Sequence, residues 1–252
     1  MSRLKQAIDK TVSLKTPVGY FRNGNLDIIV MNQNDNRLNL KFCEELHQAL
    51  DQLEVQKESR GQTLVTLSTH PKIYSNGVDF ENLRNDKEIE QVLEGLHQYI
   101  LRILQSKIPT VGCIDGHAFA GGWFMAIAHH FRIMNTDRGW ICLNGISLDI
   151  PIPKAFNVLG TQKIGEQQYW ETCCLGTRFN AYEALERGIV HKIYNSENIL
   201  KKTEDFADHL AKKNLDPIAF RLMNADIYNS SIHSLSNDKN WDLTIQKVSN
   251  CL

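Results

Sequence analysis

Hydrophobic residues along the chain follow two spacings, an alternating one and a helical one. The runs Val18 to Arg22 and Leu26 to Met31 are typical of strands and flank Asn23-Gly24, a strong hairpin signal. Asn39 is a suitable N-cap, and the apolar positions from Phe42 to Leu53 lie on one helical face. This part of the chain therefore predicts a hairpin followed by a helix.

A buried strand is expected at Thr63 to Thr69, and a second helix-strand unit follows it. Apolar residues keep the helical period from Ile89 to Leu104, Pro109 ends that segment, and Val111 to Ile114 is a short apolar run. A glycine turn and an apolar helix through Ala128 come next. Two more strands are expected at Phe131 to Met134 and at Trp140 to Leu143.

Beyond residue 150 the pattern is mostly helical. Asn180 to Arg187 carries a capping box completed by Glu183, with Gly188 at the C-cap. Strands that alternate with helices predict an α/β fold with right-handed βαβ crossovers, whose C-terminal helices pack on the body or on another subunit. The other predicted segments are helices at Gly165 to Leu175, Ser196 to Asn214, Pro217 to Tyr228 and Ser234 to Ser249, and a strand at Ile189 to Tyr194.

The composition restricts the function classes. With 42% hydrophobic and 23% charged residues among 252, the chain has the make-up of a soluble globular protein of one large or two small domains. Its formal net charge is −1 and no basic block is interleaved with aromatic residues, so we expect no nucleic-acid partner. The longest apolar run, Ala118 to Ala128, is shorter than the roughly 20 residues of a membrane span, so we expect no transmembrane segment.

The cysteines and the N-terminus bear on metal binding and compartment. The six cysteines show neither CxxC nor zinc spacing, which indicates a reducing compartment and no metal site. They are Cys43, Cys113, Cys142, Cys173, Cys174 and Cys251. Met1 to Pro17 is basic and has apolar residues at helical spacing. It is either a matrix-targeting helix or a surface helix that precedes the fold.

Two glycine-bearing segments follow buried strands, at Tyr74 to Asp79 and at Asp115 to Gly122. Neither contains the Gly-Lys-Ser/Thr of a Walker loop or the GxGxxG of a dinucleotide site. Glycine at a strand-to-helix turn lets a ligand approach the backbone, and the helix that follows directs its unpaired N–H groups there. The pair of turns is therefore a candidate site for one oxygen atom.

At these turns the sequence resembles the crotonase, or enoyl-CoA hydratase/isomerase, superfamily, and within it the Δ3,Δ2-enoyl-CoA isomerases. The resemblance runs from about Val18 to Tyr194. It implies an α/β fold with a crotonase-type ββα spiral core at residues 18–194, an N-terminal extension at 1–17 and a C-terminal helical region of the same domain at 195–252. The matching stretches are Ser75 to Asp79, Ile114 to Ala118, Ala120-Gly121-Gly122, Phe131 to Met134, Asp137-Arg138-Gly139 and Ala184 to Val190.

The resemblance places an oxyanion hole at the backbone amides of Val78 and Gly121. Deprotonating the carbon next to a thioester moves negative charge onto the thioester oxygen, and two preorganised amides stabilise that charge. Both family glutamates are missing, because the hydratase position is Phe124 and the isomerase position is Gly145. Neither residue transfers a proton, so a general-base contribution of about a hundred- to ten-thousand-fold is lost.

Asp149, one helical turn beyond Gly145, is the nearby carboxylate and the candidate substitute base. The alternative is a polar residue near the pocket mouth or a cap for the segment before Pro151. His117 beside the glycines suggests ligand polarisation, but an ordinary turn histidine explains it better. His129-His130 suggests metal binding, but adjacent helix residues point in different directions and no third ligand is evident. Cys173-Cys174 suggests redox chemistry, but a buried helix face explains the pair better.

Two function classes stay open. The first is a non-catalytic member that acts as a structural or acyl-CoA-binding subunit, for example of a mitochondrial assembly. It requires no cofactor, and acyl-CoA is its candidate ligand. The second is an active Δ3,Δ2-enoyl-CoA isomerase of fatty-acid oxidation with an unrecognised base. The resemblance implies a homo-oligomer, a trimer, or a subunit of a larger protein assembly, and it favours the mitochondrial matrix over the peroxisome and the cytosol.

Overall fold

The computed structural model describes residues 1–56, 60–238 and 241–249 of the chain, and in them nine strands form two sheets. The strands are β1 Val18–Asn23, β2 Leu26–Met31, β3 Thr63–Ser68, β4 Ile73–Ser75, β5 Thr110–Ile114, β6 His117–Phe119, β7 Phe131–Asn135, β8 Ile141–Cys142 and β9 Lys192–Tyr194. The larger sheet has the order β1-β2-β3-β5-β7-β9, and the smaller one has the order β4-β6-β8. Strands β1 and β2 form an antiparallel hairpin, and all other neighbours are parallel.

Helices connect the parallel strands, as the predicted α/β fold requires. Within the same ranges they are α1 Arg3–Leu14, α2 Leu40–Glu54, α3 Asp86–Leu104, α4 Gly121–Ala128, α5 Lys154–Ile164, α6 Glu166–Cys174, α7 Ala181–Glu186, α8 Ile199–Ala211, α9 Pro217–Ile227, α10 Asn229–Asn237 and α11 Asp242–Ser249. Short 3₁₀ helices occur at Phe80–Asn82 and Gly145–Leu148.

The larger sheet separates two hydrophobic cores. Side chains of a strand point alternately to the two faces, so neighbouring apolar residues of β2 enter different cores. Ile29 and Met31 join the core that holds α2, α3 and α4, while Ile28 and Val30 join the core that holds α1 and α8. A continuous apolar run is therefore expected here, because this strand is buried on both faces.

Helix α1 packs on this second core. Leu4, Ala7 and Thr11 are buried against the sheet and α8. The Arg3 guanidinium donates to Glu204 Oε1 at 3.3 Å and to Asp208 Oδ1 at 2.6 Å, which ties the start of α1 to α8. The protein itself thus covers part of the apolar face on which both interpretations of the N-terminus rest, while Leu14 at the end of α1 stays 58% exposed.

Local sequence signals place several helix and strand ends correctly. The Asn39 side chain accepts a hydrogen bond from the Phe42 amide at 2.9 Å, which confirms the predicted N-cap of α2. The hairpin is also confirmed, but its turn lies one residue later than expected, because Asn23 pairs with Leu26 in the ladder. The capping box of α7 is present in both directions.

Other segments differ from the sequence prediction. The single helix expected at Ser234 to Ser249 is wrong, because the chain forms α10 and then α11 there, with α11 packed on α3. Trp241 between them is 2% exposed, and burying its large ring requires the chain to turn back onto the body. The short strands β4 and β6 were not predicted, since three-residue strands carry too few positions to show an alternating pattern. Helix α5 was not predicted either.

The part of the chain that the structure describes contains no helix long and apolar enough to cross a membrane. No group of three or more potential metal ligands is found in that part either. Its cysteines are all free, and Cys251 lies outside the described residues.

Candidate functional site

The two predicted turns lie side by side beyond the carboxyl ends of the parallel strands. Strand β4 ends at Ser75 and leads into Gly77, whose φ of 80° is strongly favoured by glycine. Strand β6 leads into Ala120, which has a φ of 49° and a ψ of −118°, and Gly121 then begins α4. A Cβ atom on Gly77 would lie 2.5 Å from the Gly121 nitrogen, so only glycine permits this approach of the two backbones.

The amides of Val78 and Gly121 are available for a ligand. Neither donates a hydrogen bond to another residue of the described ranges, although their neighbours do: Asp79 N donates to Leu38 O, and Ala120 N donates to Cys142 O. The strained backbone of Ala120 fixes the direction of the Gly121 amide at the positive end of α4. That the two amides converge on one oxygen stays a prediction.

Both amides border a small apolar cavity of about 60 Å³. That volume is far below the ~300 Å³ at which ligand pockets begin. Within the described chain, no carboxylate lies in its wall, and Thr244 is the one hydroxyl-bearing side chain there. The wall is formed by Val78, Phe80, Leu93, Leu96, Ala120, Gly121, Phe124, Leu143, Gly145, Leu148, Ile150, Pro151, Ile152, Phe156 and Thr244.

Phe124 and Gly145, at the positions that the resemblance assigns to the family glutamates, both lie in this wall. Phe124 is 2% exposed and stacks on Phe156 with ring centroids 4.5 Å apart. A Cβ atom on Gly145 would lie 2.8 Å from Ile152 Cδ1 and 2.9 Å from the Ile150 carbonyl oxygen. Side-chain and backbone atoms thus occupy the space that an acidic side chain at residue 145 would need.

Asp149 does not line the cavity. It ends the 3₁₀ helix Gly145–Leu148 in a left-handed conformation with a φ of 55°, and its side chain is exposed. Its amide donates to Ile146 O at 3.2 Å, so Asp149 acts as the residue that closes this turn. The geometry gives no support to its role as a substitute base, which stays a prediction.

A row of aromatic rings, which the sequence pattern did not predict, connects this wall to the C-terminal segment. Beyond the Phe124–Phe156 stack, the His97 ring meets Phe156 edge-on at 4.6 Å and meets Trp241 edge-on at 4.9 Å. The Thr244 hydroxyl of α11 donates to the Pro151 carbonyl at 2.8 Å and holds α11 against the cavity. The one available sequence signal was Trp241 itself, an isolated aromatic residue in a polar stretch.

The other candidate histidines have local partners. Nδ1 of His117 accepts a hydrogen bond from the Trp140 amide at 3.2 Å, and burial together with the Arg178 charge lowers the pKa of His117. His129 is fully buried: its Nδ1 donates to Met125 O at 2.9 Å, and Nε2 accepts from the Thr66 hydroxyl at 3.0 Å. Burial lowers the pKa of His129 to about 3, as expected of a neutral core histidine.

His130 also has a local hydrogen-bond partner. Nδ1 of His130 accepts from the Thr110 hydroxyl at 2.8 Å and from the Thr110 amide at 3.1 Å.

Cys173 is half-buried and Cys174 is exposed, so only one of the two lies toward the body. The sequence interpretation of both as buried helix-face residues is therefore wrong for Cys174, since adjacent residues on α6 point in different directions.

The sheets and the paired turns define an α/β protein of the crotonase fold. The chain belongs to the enoyl-CoA hydratase/isomerase family, whose profile matches residues 22–247. Enoyl-CoA delta isomerase 3 of Arabidopsis thaliana is 24% identical over 180 residues, which cover 68% of this chain and 75% of the relative. Human mitochondrial enoyl-CoA delta isomerase 1 is 30% identical over 167 residues, which cover 65% of this chain and 55% of the relative.

Solved structures show the same fold. Human mitochondrial delta3-delta2-enoyl-CoA isomerase has a TM-score of 0.80 at 22% identity, with 94% of this chain and 96% of that chain covered. An enoyl-CoA hydratase from Bacillus halodurans has a TM-score of 0.81 at 18% identity, with 93% and 100% covered. The predicted family and fold are thus confirmed. The relatives include mitochondrial and peroxisomal proteins, and the compartment of this chain stays a prediction.

Proposed function

We propose that this chain is a non-catalytic member of the family, a structural subunit whose acyl pocket is filled by its own side chains. The cavity beside Val78 and Gly121 carries this proposal. It holds about 60 Å³, and no proton-transferring carboxylate from the described residues borders it. An acyl thioester needs a pocket several times larger and a base to move its α-proton.

Three separate contributions fill the space. Phe124 adds an aromatic ring that packs on Phe156. Ile152 covers Gly145, and Thr244 brings α11 to the wall. Because a close-packed interior resists insertion of further atoms, restoring a single glutamate does not by itself recreate an active site.

One observation favours the second candidate, an active Δ3,Δ2-enoyl-CoA isomerase with an unrecognised base. The Val78 and Gly121 amides have no partner within the described ranges, and the strained Ala120 conformation that orients one of them is kept. Such strain persists only where the surrounding structure imposes it. An acyl-CoA that displaces Phe124 or α11 would find both donors in place.

The decisive measurement is turnover of 3-enoyl-CoA and 2-enoyl-CoA by the purified full chain. We expect rates well below about one per second, the lower end of typical enzyme turnover, because no base lines the pocket. We also expect no rise in melting temperature with octanoyl-CoA. Turnover in the enzyme range contradicts the proposal. In that case Asp149→Asn, with the exposed Asp226→Asn as matched control, tests Asp149 as the base.

Two variants separate a filled pocket from one that lacks only its base. Gly145→Glu alone is expected to stay inactive, because its Cβ atom already meets Ile152 and the Ile150 carbonyl. Phe124→Leu/Gly145→Glu removes ring volume from the same wall, so any gain in isomerase turnover is expected in this double variant alone. Activity in the single variant identifies an enzyme that lost its base recently and contradicts a filled pocket.

The proposed role also includes assembly and compartment. We place the chain in a homo-oligomer or a larger protein assembly of the mitochondrial matrix, as the resemblance implies. Exposed apolar side chains on α9 support an additional protein contact there. Fluorescence imaging of the tagged chain beside matrix and peroxisomal markers tests the compartment, and a peroxisomal or cytosolic signal contradicts this placement.

A further inference from the structure

A second cavity lies at the amino ends of the parallel strands of the larger sheet. Its described wall includes Leu64 near the start of β3, Ile108 just before β5, and Arg22 at the hairpin end of β1. These positions lie near the amino ends of β2, β3 and β5 in the larger sheet, whereas Val78 and Gly121 follow the carboxyl ends of β4 and β6 in the smaller sheet. The cavity is thus separate from the family site, and we refer to it as the amino-edge groove.

The amino-edge groove has the size of a small-molecule site. Its volume is about 470 Å³, within the ~300–1,000 Å³ range of ligand pockets. Leu50, Leu64 and Ile103 border the groove but are at most 1% exposed, whereas Leu53 of α2 is half-buried and also lines it. Leu53 and the carbon stems of the cationic side chains therefore form the apolar surface on which a ligand can pack.

Cationic side chains outnumber carboxylates in the wall of the groove. The described residues that line it include four cationic side chains, Arg22, Arg102, Lys107 and Arg221, against one carboxylate, Glu54. The cations come from β1, α3, the loop after α3, and α9, so the fold brings them together from distant parts of the sequence. Convergent cations of this kind select anionic ligands.

Two of the cations are fixed in place. Arg22 donates to both Asp27 oxygens, at 2.8 and 2.9 Å, and Asp27 is fully buried. Arg102 donates to Asp51 and Glu54, each at 2.8 Å. These ion pairs lower the entropy cost of holding the two guanidinium groups at the wall. The paired carboxylates also offset the positive charge of the two guanidinium groups.

The other two cations, Lys107 and Arg221, form no ion pair or side-chain hydrogen bond with any residue of the described ranges. Their side chains are exposed. Their charge is therefore available to a ligand, and the several N–H donors of the Arg221 guanidinium and the Lys107 ammonium match the multiple oxygens of a phosphate better than the two of a carboxylate.

We propose that the amino-edge groove binds a small organic phosphate, with the phosphate at Arg221 and Lys107 and its apolar body against Leu53. This inference does not depend on the proposed function, because the groove shares no wall residue with the cavity at the paired turns.

Isothermal titration of the full chain at low ionic strength tests the proposal with four probes of graded chemistry. They are 2-naphthyl phosphate, 2-naphthoate, 2-naphthol and inorganic phosphate. We expect saturable binding that is tightest for 2-naphthyl phosphate and that weakens as salt is raised. Equal affinity for 2-naphthoate overturns the phosphate preference, equal affinity for 2-naphthol overturns the electrostatic basis, and no saturable binding overturns the site.

Variants locate the binding. Arg221→Gln and Lys107→Gln are each expected to weaken 2-naphthyl phosphate binding about tenfold or more, the range of a lost charge-assisted hydrogen bond. Arg84→Gln and Lys41→Gln are the matched controls, since both side chains are exposed and lie outside the groove. The assignment of the phosphate to Arg221 and Lys107 is contradicted if the control variants lose as much affinity as the groove variants. It is also contradicted if neither groove variant loses affinity.

Discussion

Gly77 shows how one residue controls the paired turns. Its position combines a left-handed backbone with a contact so close that a methyl group would overlap the Gly121 nitrogen. Both requirements were implicit in the glycine of the sequence, but only the structure identifies the atom it makes room for.

We expect Gly77→Ala to lower the free energy of unfolding by about 1–3 kcal/mol more than backbone strain alone explains, because the methyl group forces the two turns apart. Gly188→Ala is the matched control, since Gly188 has a φ of 69° with no atom within 4 Å of its Cβ position. It reports the strain alone, about 1 kcal/mol. Equal losses in urea unfolding of the two variants would mean that the turns do not touch.

His129 gives a second prediction at this scale, for the dependence of stability on pH. Its folded pKa of about 3 lies below the ordinary value of 6.5, because burial disfavours the charged ring. Between these two pH values the unfolded chain binds a proton that the folded chain does not. Stability therefore falls as the pH is lowered from about 6.5 toward 3.

Replacement by glutamine removes this contribution. We expect the free energy of unfolding of His129→Gln to be lower than that of the original chain near neutral pH. On acidification it is expected to fall less steeply than in the original chain, with a slope smaller by up to about 1.4 kcal/mol per pH unit. Urea unfolding at a series of pH values measures the slope. The exposed His209→Gln is the control. An unchanged slope for His129→Gln would show that the ring titrates alike in the folded and the unfolded chain.

At the scale of elements, α11 closes one side of the candidate site. This short helix follows α10 and returns to α3. Trp241, just before it, joins the ring row that begins at Phe124, and the Thr244 hydroxyl donates to the Pro151 carbonyl. Eight residues form too short a helix to be stable alone, so tertiary packing supplies its stability.

We expect Trp241→Ala to reduce the free energy of unfolding by about 3–5 kcal/mol, the range for deletion of a buried aromatic side chain. Trp170→Ala, on the exposed face of α6, is the control and is expected to change it by under about 1 kcal/mol. Denaturant titration followed by circular dichroism compares the two. A small loss for Trp241→Ala would indicate that the ring row does not hold α11.

For the whole molecule, the prominent feature is the apolar surface of α9. Ile218, Leu222, Met223 and Ile227 are each between 59% and 70% exposed. A cluster of this kind on one helix is more than the scattered apolar residues of an ordinary surface and marks a site of protein contact.

We expect the purified chain to form a trimer, with a mass by light scattering of three times 28.8 kDa. Leu222→Gln/Met223→Gln is expected to shift the distribution toward the monomer, because it removes apolar area from the contact. Val12→Gln, at a half-exposed apolar residue of α1, is the control. A monomer at micromolar concentration contradicts self-association through α9.

The sequence by itself determined the hairpin, the main helices with their caps and the α/β class, because these follow from short-range periodicity and from turn residues at fixed spacing. It also indicated the family, through the resemblance of its motifs. It also located both glycine turns. It did not reveal β4, β6 or the break before α11, since these form through contacts between residues far apart in the chain.

Only the tertiary structure decided how much room remains at the site. Phe124 and Gly145 were recognisable in the sequence as substitutions at acidic positions, but the cavity volume depends on Phe156, Ile152 and Thr244, which come from three other segments. The convergence of Arg22, Arg102, Lys107 and Arg221 likewise depends on how β1, α3 and α9 pack. Spatial proximity of distant residues is set by the packing of whole elements, and no local pattern of a single sequence encodes it.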